Sequence, residues 1–213
     1  MNILENSSGS AQRALGEAPL RINIICAVNG PLEAKHRDEL PQHASLEVVY
    51  RRNIGIPMIR ERFIQDRVHS AILAVRKCDA YTRSVIQAVV QALDSCHDAD
   101  ISFYSEISEG INTACLALVN AGIELSALVV AKSYIITDEG EILDLNQPLR
   151  KKTIESKHAV AFRIAQNTEP KLVLCESSGP VKDDLFMKML RKAENDTKLL
   201  AEEEFRKTIV DSL

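Results

Sequence analysis

Alternation of apolar and polar side chains predicts three strands in the first half of the chain. Residues 20–28 alternate before they become fully apolar, and the turn-forming triplet Asn29-Gly30-Pro31 follows them. Residues 46–51 also alternate, and we expect them to pair near the first strand. Residues 82–93 are rich in Val and Ile, which favours a half-buried strand over a helix.

Apolar positions spaced by three and four predict three helices. The first covers residues 59–75, and the second has an apolar stripe over residues 107–118 that ends at Gly122, with Ser102 or Ser105 as a candidate N-cap. The third is expected to begin at Pro180 and to extend to about residue 210. Its inward stripe consists of Val181, Leu185, Phe186, Met189, Leu190 and Ala193.

Four further short strands, at residues 128–136, 141–145, 159–165 and 171–174, fill the region between the second and third helices. The resulting order of strands and helices predicts an α/β (α+β) fold in layers, with mixed β-sheets packed against helices. Residues 1–18 contain few bulky apolar side chains, so we expect a flexible N-terminal segment or a poorly packed edge. Residues 19–213 are expected to form a single domain.

Composition narrows the possible functions. The net charge of −4 argues against a protein that coats nucleic acid by bulk charge, so any such contact must be local. The chain has no Trp, five Phe and four Tyr, so few aromatic side chains are available to stack on bases. The five cysteines form no CxxC pair, and no run approaches the roughly 20 apolar residues of a membrane span. We therefore expect an intracellular chain with reduced thiols and no membrane contact.

Three segments, in the same order along the chain, carry a resemblance to a known family. They are CAVNGPLEAKHRDELP at residues 26–41, Arg60-Glu61-Arg62, and INTACLALVNAGIELSALV at residues 111–129. The chain resembles the RNase PH family, and within it the ring subunits of the eukaryotic RNA exosome, over about residues 8–190. The resemblance implies an RNase PH-like fold.

Catalysis in that family is phosphorolysis, in which inorganic phosphate attacks the terminal RNA phosphodiester. The family's phosphate cradle is Gly-Gly-Thr-Arg before the central helix, where backbone N–H groups and an arginine hold the anion. In this chain a bulky tyrosine replaces the first glycine and prevents close approach of the backbone. A carboxylate, which is expected to repel phosphate, replaces the threonine, and an isoleucine replaces the arginine. The four corresponding positions are Tyr104, Ser105, Glu106 and Ile107.

The family's two catalytic aspartates correspond to Asp144 and Arg150 in this chain. A cation cannot ligate a metal ion, so the second change removes a metal ligand. The resemblance therefore implies a chain with no catalytic residues, no metal and no cofactor. Asp144 is interpreted as a solvated hairpin carboxylate rather than a remnant ligand. The cluster Cys96-His97-Asp98 is interpreted as a loop rather than a metal site, since adjacent side chains rarely converge on one atom.

Local contacts to RNA are expected from arginines and lysines, because a guanidinium binds two phosphate oxygens at once. Arg60 and Arg62 are equally compatible with ion pairs to Glu61 or Asp66 on the helix surface. Runs of charge such as residues 150–152 are also typical of solvated faces. The candidate RNA-binding residues are Arg51, Arg52, Arg60, Arg62, Arg150, Lys151 and Lys152.

The resemblance implies a structural, catalytically inactive subunit that lines the RNA channel of the exosome ring and supports 3′–5′ RNA processing and degradation. Its implied partners are other RNase PH-type subunits in a hetero-hexameric ring, RNA-binding cap subunits, RNA and, indirectly, a hydrolytic nuclease subunit. Its implied location is the nucleus, the nucleolus and the cytoplasm. Two alternatives remain open: a phosphorolytic 3′–5′ exoribonuclease, which Ile107 and Arg150 disfavour, and a free-standing homodimeric RNA-binding module.

Overall fold

The secondary structure forms two four-stranded sheets and three α-helices within the described residues. The computed structural model describes residues 3–16, 21–37, 39–53, 55–56, 58–77, 81–94, 99–145, 153–166 and 168–207. The layered α/β architecture predicted from the sequence is confirmed.

The first sheet contains the strands β1 (Gly9–Leu15), β2 (Ile22–Glu33), β3 (Ser45–Arg52) and β4 (Ser84–Asp94), in the order β1-β2-β4-β3. Strand β3 runs parallel to β4, and the helix α1 (Ile59–Leu73) lies between them in the chain. The expected position of β3 near β2 is confirmed, since both strands are in this sheet with β4 between them. A parallel pair needs a crossover connection, and α1 supplies it.

Strand β2 continues through the predicted turn at residues 29–31. Its register with β4 shifts between Asn29 and Leu32, and Gly30 takes a φ of +141°. A bulge thus absorbs the glycine and proline that were expected to end the strand.

The second sheet contains β5 (Leu128–Thr137), β6 (Ile142–Asp144), β7 (Ile154–Ile164) and β8 (Lys171–Ser178). Its order is β6-β5-β7-β8, and all its pairs are antiparallel. All four predicted strands of this region are confirmed, although β7 and β8 are longer than the apolar runs suggested.

The helix α2 (Ala99–Asn120) lies between the two sheets and contacts β1 and β2 on one side and β5 and β7 on the other. Every residue from 104 to 118 is buried, as expected for a helix with protein on every face. Asn112 fixes its position, because the amide donates to the Ala131 carbonyl at 2.9 Å and accepts from the Ala131 N–H at 2.8 Å. These two hydrogen bonds attach the helix to β5, one of the two inner strands of the second sheet.

The predicted start of α2 is wrong and its predicted end is confirmed. Ser102 and Ser105 lie inside the helix, where both are buried, so neither is the N-cap. The Ser102 hydroxyl instead accepts a hydrogen bond from Arg60, and the Ser105 hydroxyl lies 3.3 Å from that of Ser133. At the other end Gly122 takes a φ of +70°, a conformation that favours glycine just beyond a helix.

The helix α3 (Asp183–Leu200) packs against β5 and β7 and continues as a π-helical turn, Ala201–Phe205. It begins three residues after Pro180, with Asp183 and Asp184 in its positive first turn. The predicted inward stripe is confirmed, because all six of its side chains belong to the apolar cluster between the helix and the sheet.

Seven of the first 18 residues form β1, which lies at the edge of the first sheet. The Ser10 N–H donates to Asn120 Oδ1 at 3.0 Å, and the Arg13 guanidinium lies 2.9 Å from the buried Glu109 carboxylate. Arg13 also lies over the Phe205 ring at 5.7 Å. The boundary at residue 19 and the single domain stay predictions.

Candidate functional site

A buried carboxylate lies where β3, α1 and α2 meet. Glu106, in α2, is fully buried, and its Oε2 accepts a hydrogen bond from the Tyr50 hydroxyl at 3.0 Å. Its Oε1 lies 2.7 Å from Arg52 Nη2 and 3.7 Å from Arg60 Nη2. The carboxylate is thus held by one hydroxyl and two guanidinium groups, a set of donors that also suits a bound anion.

The pKa values of the cluster follow from this arrangement. Burial raises the pKa of Tyr50, and the charge of Glu106 and its hydrogen bond raise it further, so the hydroxyl stays protonated and donates. For Arg52, burial is the largest effect and acts to lower the pKa, but the hydrogen bond to Glu106 and the charges of Glu106, Tyr50 and Glu61 together outweigh it, and the pKa rises. Burial lowers the pKa of Arg60. The positive charge of Arg52 in particular therefore balances the negative charge of the Glu106 carboxylate.

The four positions of the expected phosphate cradle lie within α2 rather than before it. Tyr104, Ser105, Glu106 and Ile107 are all buried, with at most 8% exposure. In an α-helix that begins at Ala99, their N–H groups donate to carbonyls four residues earlier and cannot turn towards an anion. The expectation that Glu106 repels phosphate needs correction, because its side chain points into the protein and is neutralised there.

Asp144 differs from the solvated carboxylate that the sequence suggested. It lies at the end of β6, opposite Tyr134, and its side chain is only 17% exposed. Its Oδ2 is 3.4 Å from the Lys132 ammonium group. The interpretation as a lone exposed carboxylate is therefore wrong. Arg150, Lys151 and Lys152 lie outside the described residues, as does the cluster Cys96-His97-Asp98.

The four remaining candidate arginines fall into two pairs. Arg52 and Arg60 are half-buried and engaged by Glu106, and Arg60 also donates to Ser102 Oγ at 2.9 Å. Arg51 and Arg62 are exposed, and neither has an ion-pair partner in the part of the chain that the structure describes. The alternative pairing on α1 is wrong for Arg60, whose carboxylate partner is on α2.

Glu61 is buried and has a local role. Its carboxylate accepts the Met58 N–H at 2.8 Å, which caps the start of α1, and it lies 4.0 Å from Arg52 Nε. Sequence reasoning missed Glu106 and Tyr50 as partners of these arginines. A charged residue at 106, beside the apolar stripe that includes Ile107 and Ile111, was the available signal.

Two surface cavities flank the start of α1, and Ile59 lines both. One has a volume of about 610 Å³, and the other about 540 Å³. The larger includes Arg60, Phe63, Phe103 and Lys157, and the smaller includes Tyr50, Arg51, Met58, Arg62 and Gln65.

The described residues contain no group of three or more His, Cys, Asp or Glu side chains placed to hold a metal ion. Among the same residues, no helix combines the length and the apolar character needed to cross a bilayer.

Comparison with known proteins identifies a family to which this chain is similar. The model of the 3′ exoribonuclease family, domain 1 (RNase PH), matches residues 1–124. The Exosome complex component RRP46 of Saccharomyces cerevisiae is 28% identical over 197 residues, which cover 91% of this chain and 86% of that protein. The Exosome complex component rrp46 of Schizosaccharomyces pombe is 30% identical over 199 residues, covering 91% and 80%.

A similar fold is seen in the crystal structure of rice (Oryza sativa) Rrp46. The two structures superpose with a TM-score of 0.80 at 20% identity, covering 98% of this chain and 91% of the rice protein. The RNase PH-like fold expected from the three sequence segments is thus confirmed. Because the family model spans more than half of the sequence and the yeast relatives match along most of their length, this chain belongs to the 3′ exoribonuclease (RNase PH) family.

Proposed function

We propose that this chain is a structural subunit of an exosome core ring and that it performs no phosphorolysis itself. The observation that carries the second half of this proposal is the buried Glu106 carboxylate, which occupies the guanidinium groups of Arg52 and Arg60. An internal anion at this position competes with any external phosphate for the same donors. The ring assignment is supported by the names of the two yeast relatives.

Phosphorolysis needs an anion pocket and a metal-binding carboxylate pair, and the described residues supply neither in a free form. The backbone N–H groups at residues 104–107 are committed to the helix. Asp144 is paired with Lys132. The phosphorolytic alternative would require this part of α2 to unwind and Glu106 to leave its two arginines.

The proposed partners are other RNase PH-type subunits in a hetero-hexameric ring, together with RNA-binding cap subunits. RNA would pass through the channel of that ring towards a hydrolytic nuclease subunit, in the nucleus, the nucleolus and the cytoplasm. Contacts of Arg51 and Arg62 with this RNA stay predictions. For Arg52 and Arg60 the ion pairs with Glu106 argue against a role in RNA binding.

Co-expression with the sister RNase PH-type subunits of the same organism tests the assembly. Light scattering of the purified material should give the mass of a heterodimer and, with all six subunits, of a closed ring. A monomer or a homodimer that ignores every sister subunit contradicts the ring assignment.

A second assay tests the absence of catalysis. The purified chain, incubated with phosphate, Mg²⁺ and single-stranded RNA, should release no nucleoside diphosphate above a buffer control. Release at a rate proportional to the concentration of this chain contradicts the assignment as a non-catalytic subunit.

A further inference from the structure

Three aliphatic side chains stand out into solvent at the start of α1. Ile56, Met58 and Ile59 are 83%, 73% and 89% exposed, the highest values among the large apolar side chains that the structure describes. They lie within four positions of one another, and we call them the α1 crest. Single exposed apolar residues are common on protein surfaces, but a cluster of this kind is typical of an interaction site.

The shape of the surface suits insertion of side chains from a partner. Ile59 stands between the two cavities of about 610 and 540 Å³, so the crest forms a ridge with a depression on each side. Met58 lines the smaller depression and Phe63 the larger. A protein surface with its own apolar side chains can fill both depressions while it covers the ridge.

The smaller depression beside the crest is positively charged. Arg51 and Arg62 line the smaller depression, are exposed and have no ion-pair partner among the described residues. The carboxylate of Glu61, the acidic residue beside them, is turned inward to the Met58 N–H. Unpaired guanidinium groups at the edge of an apolar patch favour carboxylates on the partner.

The same observations favour a protein over RNA at this surface. Single-stranded RNA binds through aromatic platforms as well as cations, and the crest is aliphatic. The two phenylalanines in the larger cavity are already covered by guanidinium groups, because Arg67 lies 4.3 Å from the Phe63 ring centre and Arg60 lies 5.2 Å from that of Phe103. Their faces are thus partly occupied by contacts within the chain.

We propose that the α1 crest docks a neighbouring RNase PH-type subunit through a surface on that subunit that combines apolar side chains with Asp or Glu. This inference rests on the proposed function, since it names the occupant as a ring neighbour. Arg51 and Arg62 then pair with the neighbour's carboxylates, and Ile59 is buried between the two subunits.

A pair of charge substitutions tests the docking. Met58→Asp combined with Ile59→Asp should weaken the affinity for the neighbouring subunit at least about tenfold, because it removes the apolar anchors and sets carboxylates against carboxylates. Asp is favourable at the first positions of a helix, so the unfolding midpoint of the free chain should not fall. Affinities are measured by biolayer interferometry with each sister subunit in turn.

A matched control uses the same chemical change elsewhere. Met187 and Leu199, on α3, are 51% and 54% exposed, and their joint replacement by Asp should leave the affinity within about twofold of the unmodified chain. If the crest variant binds every sister subunit as tightly as the unmodified chain, the docking inference is overturned while the ring assignment stands. If the unmodified chain binds no sister subunit, both are overturned.

Site-specific photocrosslinking gives a readout that does not depend on the stability of the Asp variant. A benzoylphenylalanine in place of Ile59, in the assembled ring with RNA bound, should crosslink to a neighbouring subunit. The crosslinked peptide should contain Asp or Glu beside apolar residues. Crosslinks to RNA alone, or to a peptide without acidic residues, overturn the inference.

Discussion

Replacement of Glu106 by Gln tests whether the carboxylate holds β3, α1 and α2 together. Gln keeps the size of the side chain, and its one carbonyl oxygen can still accept from Arg52, at 2.7 Å, but its NH2 group then faces the Tyr50 hydroxyl, at 3.0 Å, and can only donate to it. Hydrogen bonds to a charged group contribute about 1.5–3 kcal/mol, against about 0.5–1.5 for neutral pairs. Two bonds that each lose about 1 kcal/mol predict a loss of about 2 kcal/mol in the free energy of unfolding.

Replacement by Ala should cost more, because it leaves two half-buried guanidinium groups without their anion. Breaking a buried ion pair from one side costs about 3–5 kcal/mol, so we expect about 4 kcal/mol for Glu106→Ala. Urea denaturation with a constant slope gives both values, and the melting temperature of the Gln variant should fall by about 4–8 °C. Glu47→Gln is the matched control, since Glu47 is exposed on β3 and should change stability by less than about 0.5 kcal/mol.

Chemical rescue with a small anion tests whether the Glu106 side chain stabilises the protein through its charge or only through packing. Formate added to Glu106→Ala should raise its stability relative to chloride at the same ionic strength, because a small carboxylate can bind between the two guanidinium groups of the native state. The unmodified protein should not respond. A Gln variant as stable as the unmodified protein, or an Ala variant that formate does not stabilise, would refute the argument that this carboxylate is held by its three donors.

Three further predictions concern the scaffold around the site. Asn112→Ala should lower the free energy of unfolding by about 2–4 kcal/mol in urea denaturation, because the buried N–H and carbonyl of Ala131 lose their hydrogen-bond partner. A loss below about 1 kcal/mol contradicts this role of Asn112. Burial lowers the pKa of His158 below its usual 6.5, so the unfolded state binds the proton more readily than the folded state. The free energy of unfolding should therefore fall as the pH drops below about 6.5, by at most about 1.4 kcal/mol per pH unit. His158→Asn should make this pH dependence shallower, and an unchanged slope refutes the assignment. Gly9→Ala should destabilise the protein by about 1–3 kcal/mol and speed hydrogen exchange in β1. The reason is that the added Cβ would lie 2.3 Å from the backbone nitrogen of Ala121. Native-like hydrogen exchange in the variant would contradict this, because it would show that the strand adapts.

Periodicity predicted most of the secondary structure, because burial on one face leaves a regular pattern in the sequence. The first helix was expected at residues 59–75 and is observed at Ile59–Leu73, and the strands of the second sheet lie where the apolar runs suggested. Sheet order is different, since it depends on pairing between distant segments. The alternation in β3 does not reveal that its partner is β4 rather than β2.

The site was harder to predict than the fold, because its contacts join residues that are distant in the sequence. Ser102 and Ser105 have the chemistry of an N-cap, but burial between two sheets overrides it and the helix begins earlier. Glu106 was recognised as unfavourable for phosphate binding, yet its pairing with Arg52 joins residues 54 positions apart. No spacing rule along one helix or strand reports such a contact.

The route of the chain through the first sheet has a consequence for synthesis on the ribosome. Strand β2 hydrogen-bonds to β4, and both β3 and α1 lie between them in the chain. In an emerging chain, the β2 edge of the β1–β2 hairpin therefore stays unpaired until about residue 94 has left the exit tunnel. The apolar face of the hairpin stays exposed until α2 has also emerged. The second sheet pairs β5 with β6 and β7 with β8 as neighbours, and the short β6 lies between β5 and its other partner, β7. Nascent chains that stall between β2 and β4 should be the ones that aggregate or recruit chaperones.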